Sequence, residues 1–136
     1  MDKVISNKIE DLRGIAKKFD LVLLLLFGSR VGNNFREDSD YDFVYFSRKK
    51  LKKSSEKKLL LELEKIVNYK KIDLIDLKTN DSFILRNEIF KNSFCIYESK
   101  TGVFEDLASD SWMEYIDNLE YIESYKKHII SSIKNL

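Results

Sequence analysis

Apolar residues first fall into a helical rhythm. Ile5, Ile9, Leu12, Ala16 and Phe19 share one stripe, which predicts a helix across the opening of the chain. Leu21 to Phe27 then run without a polar break and stop at Gly28-Ser29. That length and abrupt stop predict a buried strand, although leucines alone would suit a helix equally. Gly28 to Ser39 mixes glycine, asparagine and both signs of charge, and reads as a turn with room for one helical turn. Asp42 to Phe46 is the second predicted strand. Arg48 to Val67 is a helix, basic at first and then apolar at Leu59, Leu60, Leu63 and Ile66. Ile72 to Leu77 alternates as a third strand, placing Ile72, Leu74 and Asp76 on one face and Asp73, Ile75 and Leu77 on the other. Ser82 to Phe90 is helical, Phe94 to Tyr97 is a fourth short strand, and a long helix runs from about Phe104 to the end.

This order predicts an α/β (α+β) fold with a mixed sheet of about four strands flanked by helices. The short link between the first two strands favours antiparallel pairing. With no proline, four glycines and no linker or repeat, residues 1–136 are expected to form a single domain. It divides into a core over about residues 1–100 and a helical tail over about 103–136. In the tail, Trp112, Tyr115, Ile116, Leu119, Ile122, Ile129, Ile133 and Leu136 make a stripe at helical spacing. A helix of about 30 residues would extend roughly 45 Å, more than so small a core needs. Part of it is expected to dock a partner or a second copy.

Composition narrows the function classes. The chain is 43% apolar and 35% charged, and its 24 Lys and Arg nearly balance 23 Asp and Glu. That balance argues against a dedicated duplex-DNA binder, so nucleic acid is not the expected partner. One cysteine, Cys95, and one histidine, His128, exclude an internal disulfide and most zinc sites. Cys95 lies in an apolar run and reads as core, and His128 as a solvated helix residue. No apolar leader opens the chain, and its longest apolar run has seven residues, too few to span a bilayer. A cytoplasmic protein is expected.

The chemistry concentrates in Leu26-Phe27-Gly28-Ser29-Arg30-Val31-Gly32 and Asp38-Ser39-Asp40-Tyr41-Asp42. At a strand end, Gly28 lets a ligand approach the backbone. Ser29 adds a hydroxyl and backbone N–H groups suited to phosphate oxygens. Arg30 offers a cation, either to phosphate or to solvent. Asp40 and Asp42, two apart, project from one face. Carboxylates about 4 Å apart repel by about 4 kcal/mol at an effective dielectric of 20, so a hard cation such as Mg²⁺ is their natural companion. Asp73 begins another strand and could join them, completing the acidic set a two-metal phosphoryl transfer needs. The rival motifs fail. Phe43 and Lys49 stand where a calcium loop needs glycine and glutamate, and no Gly-Lys-Ser/Thr follows Gly28 to Gly32 as a P-loop requires.

Gly28-Ser29, ten intervening residues and Asp40-Tyr41-Asp42 resemble the signature of the DNA polymerase β-type nucleotidyltransferase superfamily, and Ile72-Asp73-Leu74 resembles its third-aspartate strand. Within it the chain is most similar to the minimal nucleotidyltransferase (MNT) antitoxins of HEPN–MNT toxin–antitoxin pairs. Leu85-Arg86-Asn87-Glu88-Ile89, Ile96-Tyr97-Glu98 and, more loosely, Tyr115-Ile116-Asp117 extend that similarity. The resemblance implies that Gly28 and Ser29 hold the triphosphate of ATP, that Asp40 and Asp42 bind the bridging metal, and that Asp73 completes a second Mg²⁺ site and helps activate the acceptor. The implied reaction transfers AMP to a hydroxyl, that of a tyrosine on a HEPN toxin partner. Two alternatives stay open: transfer to an aminoglycoside-like alcohol, with a homodimer building the pocket, and a non-enzymatic antitoxin acting by contact. The roles of Arg36, Asp76 and Arg86, and of the basic run Lys49 to Lys53 with Lys57 and Lys58, are also open.

Overall fold

In the computed structural model, residues 1–134 are described. The chain alternates helices and strands: α1 (Lys3–Asn7), α2 (Ile9–Lys18), β1 (Leu21–Phe27), a 3-10 turn (Ser29–Val31), β2 (Tyr41–Ser47), α3 (Lys53–Val67), β3 (Ile72–Asp76), a second 3-10 turn (Leu77–Thr79), α4 (Phe83–Asn92), β4 (Phe94–Glu98), α5 (Val103–Asp117) and α6 (Leu119–Lys134). The four strands form one mixed sheet in the order β3-β2-β1-β4. β1 pairs antiparallel with both β2 and β4, while β2 and β3 are parallel because α3 carries the chain back between them.

The sheet is covered on both faces, which is why β1 reads as an unbroken apolar run. On one face Leu24, Leu26, Phe43 and Tyr45 pack with Leu12 and Ala16 of α2 and with Leu59 and Leu63 of α3. On the other, Leu23, Leu25 and Val44 pack with Ile89 and Phe90 of α4, and with flanking side chains of α5 such as Phe104 and Leu107. All four β1 leucines from 23 to 26 are fully buried, each contributing on the order of 1.5–3 kcal/mol.

Three differences from the sequence reading go beyond a residue or two at an element's end. The opening helix is broken at Lys8, where α1 ends and α2 begins. α3 starts at Lys53 rather than Arg48, because residues 48–52 leave the sheet edge in a non-helical loop. The long C-terminal helix is present but stepped at Asn118. Its side chain donates to the Glu114 carbonyl (2.7 Å), a local bond that competes with helix continuation. The two pieces have 15 and 16 residues, about 22 and 24 Å long rather than one 45 Å rod. α6 has no buried residue, and Trp112, Ile116, Leu119, Ile129 and Ile133 of the predicted stripe are exposed. Leu136 of that stripe lies outside the described residues. Among the described residues, no helix is long and apolar enough to cross a membrane.

Candidate active site

The acidic residues gather where β1 ends and where β2 and β3 begin. Asp42 is the cross-strand partner of Phe27 on one side and of Asp73 on the other. Side chains alternate along both strands, so Asp42 and Asp73 share the face that Val44 and Ile75 turn toward α4 and α5. Asp40 lies two residues before Asp42, just outside β2. Asp40, Asp73 and Ser29 are exposed and Asp42 is half-buried, so the site is an open groove. Asp76, the fourth carboxylate, is the register partner of Tyr45 on the opposite face, where it accepts the Lys78 backbone N–H (3.0 Å). It is separated from the cluster by the sheet itself.

Gly28 is required here for two reasons. Its φ of 83° and ψ of −161° are values that only glycine adopts readily. A Cβ at this position would also fall inside the Asp42 carboxylate. The strand end therefore lies flat against Asp42, and Ser29 opens the 3-10 turn beside it. Burial pushes the Asp42 carboxyl up to about 6, and the charges of Asp73 and Asp40 and a hydrogen bond to Asp73 push it the same way. Such a cluster stabilises positive charge. The residues fit a hard divalent cation, because hard carboxylate oxygens converge there and a Cβ-free backbone stands beside them. Among the described residues, no three acidic, histidine or cysteine side chains close around a single metal position. Asp42 and Asp73 form the tight pair, with Asp40 acting on Asp42 through its charge.

The model of the family described as "Polymerase beta, Nucleotidyltransferase" matches residues 7–102, a span that contains every one of these residues.

The chain belongs to the polymerase beta nucleotidyltransferase family. No protein of curated function matches it significantly in sequence. Its fold matches a crystal structure of the toxin–antitoxin MntA-HpeT carrying two aspartate-to-glutamate replacements. The TM-score is 0.72 at 16% identity, covering 93% of this chain and 98% of the other. A toxin–antitoxin structure with AMP-PNP matches at TM-score 0.70 and 21% identity, covering 94% and 97%. A complex of tri-AMPylated Shewanella oneidensis HEPN toxin with MNT antitoxin matches at TM-score 0.66 and 21% identity, covering 98% and 99%.

Arg30, open in the sequence to either phosphate or solvent, faces neither in this nucleotidyltransferase. Only 5% exposed, it turns inward behind the 3-10 turn. Its Nη1 donates to Asp2 Oδ2 (2.6 Å), its Nε to the Ser39 carbonyl (3.0 Å) and its Nη2 to the Glu37 carbonyl (2.8 Å). The guanidinium lies 4.0 Å from the centroid of the Tyr41 ring. Tyr41 donates its hydroxyl to the same Asp2 oxygen (2.8 Å), and Asp2 returns its backbone N–H to the Arg30 carbonyl (3.0 Å). A planar donor fork suits this convergence of acceptors. Burial would raise the Asp2 carboxyl, but the bonds from Tyr41, Arg30 and the Val4 backbone outweigh it and hold it below its ordinary value. Burial and the bond to Asp2 push Tyr41 up to about 12. The network ties the turn that carries Ser29 to the strand entry that carries Asp42.

Asp2 and Tyr41 escaped the sequence reading. Tyr41 was legible only as the spacer between the two aspartates, just ahead of the predicted strand, and no local signal marks Asp2. Arg36 is exposed and meets Asp38 (3.4 Å). Arg86 joins the Asn80 carbonyl to Glu114 (2.6 Å), tying α4 to α5. Cys95 is half-buried, its thiol pushed up to about 11 by burial and by Glu98, so it is a poor nucleophile.

Proposed function

We propose that this nucleotidyltransferase transfers AMP from Mg²⁺-bound ATP to a hydroxyl of a HEPN-type toxin, and that it is the antitoxin of such a pair. The observation that carries this reading is the pairing of Asp42 with Asp73 across β2 and β3, against the Cβ-free backbone of Gly28. Asp40 and Asp42 would hold one Mg²⁺ beside the triphosphate, and Asp42 and Asp73 a second. Mg²⁺ held there would supply charge neutralisation for the triphosphate and the attacking oxygen. Gly28 and Ser29 line the phosphate chain. Asp73 orients the acceptor hydroxyl and takes its proton as oxygen bonds to the α-phosphorus and pyrophosphate leaves. Catalysis rests on alignment and charge neutralisation.

Two features support a macromolecular acceptor. The groove is open, with Ser29, Asp40 and Asp73 exposed, so a side chain on another protein can enter it. The apolar residues of α5 and α6 are uncovered, which gives such a protein a surface to hold. The fold neighbours are antitoxins captured in toxin–antitoxin complexes, one with an AMPylated HEPN toxin.

The test incubates the chain and its co-purifying partner with Mg²⁺ and ATP labelled at the α- or γ-phosphate. Protein labelling from the α-position only, lost in Asp40→Asn, is the expected result, and mass spectrometry locates the acceptor. Labelling from the γ-position would overturn the mechanism. Labelling of an added aminoglycoside instead would move the acceptor to a small molecule. An unlabelled but silenced partner would leave an antitoxin acting by contact.

A further inference from the structure

At the opposite end of the sheet from the carboxylates, charge of one sign collects. The chain leaves β2 at Ser47 and runs Arg48-Lys49-Lys50-Leu51-Lys52-Lys53 into α3, with Lys57 and Lys58 one turn on. Seven cations between residues 48 and 58 meet one acid, Glu56. The segment thus carries a surplus of six charges, in a chain whose net charge is +1, and the remainder is negative by five. All seven cationic side chains are exposed. Glu56 is turned away to accept the hydroxyl of buried Tyr45. Among the described residues the segment's one ion pair is Arg48 with Asp20, at 3.7 Å. Arg48, Lys49, Lys50 and Lys52, with Ser55 and Phe19, line much of a cleft of about 470 Å³.

Near-neutral total charge argues against a nucleic-acid partner only if the charges are mixed. Here they are segregated. β2 spans seven residues, about 20 Å, and that distance separates the basic end from Asp42. It is more than twice the ~8 Å screening length at physiological salt, so the acidic groove does not cancel the field of the lysines. We propose that this basic pole binds the phosphodiester backbone of a nucleic acid.

The chemistry of the patch selects this occupant. A protein partner would need an apolar or aromatic anchor at the centre, where lysine is depleted. Here the two apolar residues at the cleft, Leu51 and Phe19, are half-buried and pack against the protein's own core. Between residues 48 and 58 no exposed apolar side chain is available to insert into a membrane interface. Closely spaced cations with a hydroxyl at the cleft are what a chain of phosphates requires. This inference does not depend on nucleotidyl transfer, since the surface is remote from the groove.

The test is fluorescence anisotropy of the full chain with a labelled single-stranded RNA of about 20 nucleotides. DNA of the same length, polyglutamate and anionic vesicles serve as competitors. If five phosphates are neutralised, raising salt from 50 to 200 mM weakens binding by about 100-fold. In K49A/K50A/K52A/K53A the same salt change weakens the residual binding by only about threefold, and affinity at 50 mM falls at least tenfold. Lys49→Glu with Lys50→Glu, confined to the loop before α3, is the second variant should the first not fold. Lys126→Ala with Lys127→Ala on α6 leaves binding unchanged. Competition by RNA and DNA alone supports the proposal, their ratio showing which is preferred. No binding at 50 mM, equal competition by polyglutamate or vesicles, or indifference to both basic-pole variants would overturn it.

Discussion

Asp42 and Asp73 are register partners in the parallel pair β2–β3, so two carboxylates far apart in sequence meet on one face at the mouth of the sheet. The arrangement is costly in the free protein and useful once a cation arrives. Asp42, pushed up to about 6 by burial and by Asp73 and Asp40, records that cost.

Asp42→Asn is therefore expected to separate stability from activity. A carboxyl held higher in the folded than in the unfolded state contributes stability at low pH that is lost as pH rises through about 6. The variant should be more stable than the native chain at pH 7.5 in EDTA, with the difference shrinking toward pH 4. Mg²⁺ should stabilise the native chain and not the variant, and nucleotidyl transfer should fall by about a thousandfold or more. Urea midpoints at the two pH values check this, and equal midpoints at pH 7.5 would count against it.

Gly28→Ala confronts a φ of 83° and the Asp42 carboxylate at once. A loss of about 1–3 kcal/mol of stability is expected. Transfer should fall by at least a hundredfold in protein that remains folded, because Asp42 must move to admit the methyl group. Ala at Gly14, where an added Cβ meets nothing within 4 Å, is the control and should not reduce stability.

Arg30→Met removes the cation from a buried pair and leaves Asp2 uncompensated. A cost of about 3–5 kcal/mol is expected, and Arg30→Lys should recover little, since one ammonium cannot reach Asp2, Glu37 and Ser39 together. A phosphate-contacting arginine would behave differently, raising KM for ATP at unchanged stability. Asp2, held low in the folded state, has the opposite pH sign to Asp42. Its contribution is present above the ordinary carboxylate value and lost as pH falls through the depressed one. Denaturation curves from pH 3 to 7 distinguish the two carboxylates.

Ile116→Asp and Ile129→Asp test the α5–α6 surface. Both residues are exposed, and no residue of α6 is buried. The melting temperature should change by no more than a degree or two, while affinity for the proposed toxin partner falls at least tenfold. Isothermal titration with the purified partner gives the number, and undiminished affinity in both variants would place the partner elsewhere.

Much of this was legible from local pattern. The burial of β1, the alternation of Ile72 to Leu77 and the glycine–serine and aspartate spacing are short-range properties, set by side-chain periodicity and by backbone demands at one glycine. The sequence by itself thus determined the element order, the mixed sheet and the acidic residues available for chemistry. Only the tertiary structure decided which of them meet. Strand register brings Asp73 opposite Asp42 and sends Asp76 through the sheet to the other face. Long-range burial decided Arg30 as well: it looked free to reach phosphate, but Asp2, 28 positions away, claims it in the interior. Charge followed the same rule, since a composition near neutrality concealed a basic pole and an acidic groove at opposite ends of one strand. Spacing along a chain reports what a residue can do. Desolvation and register, which depend on residues remote in sequence, select what it does.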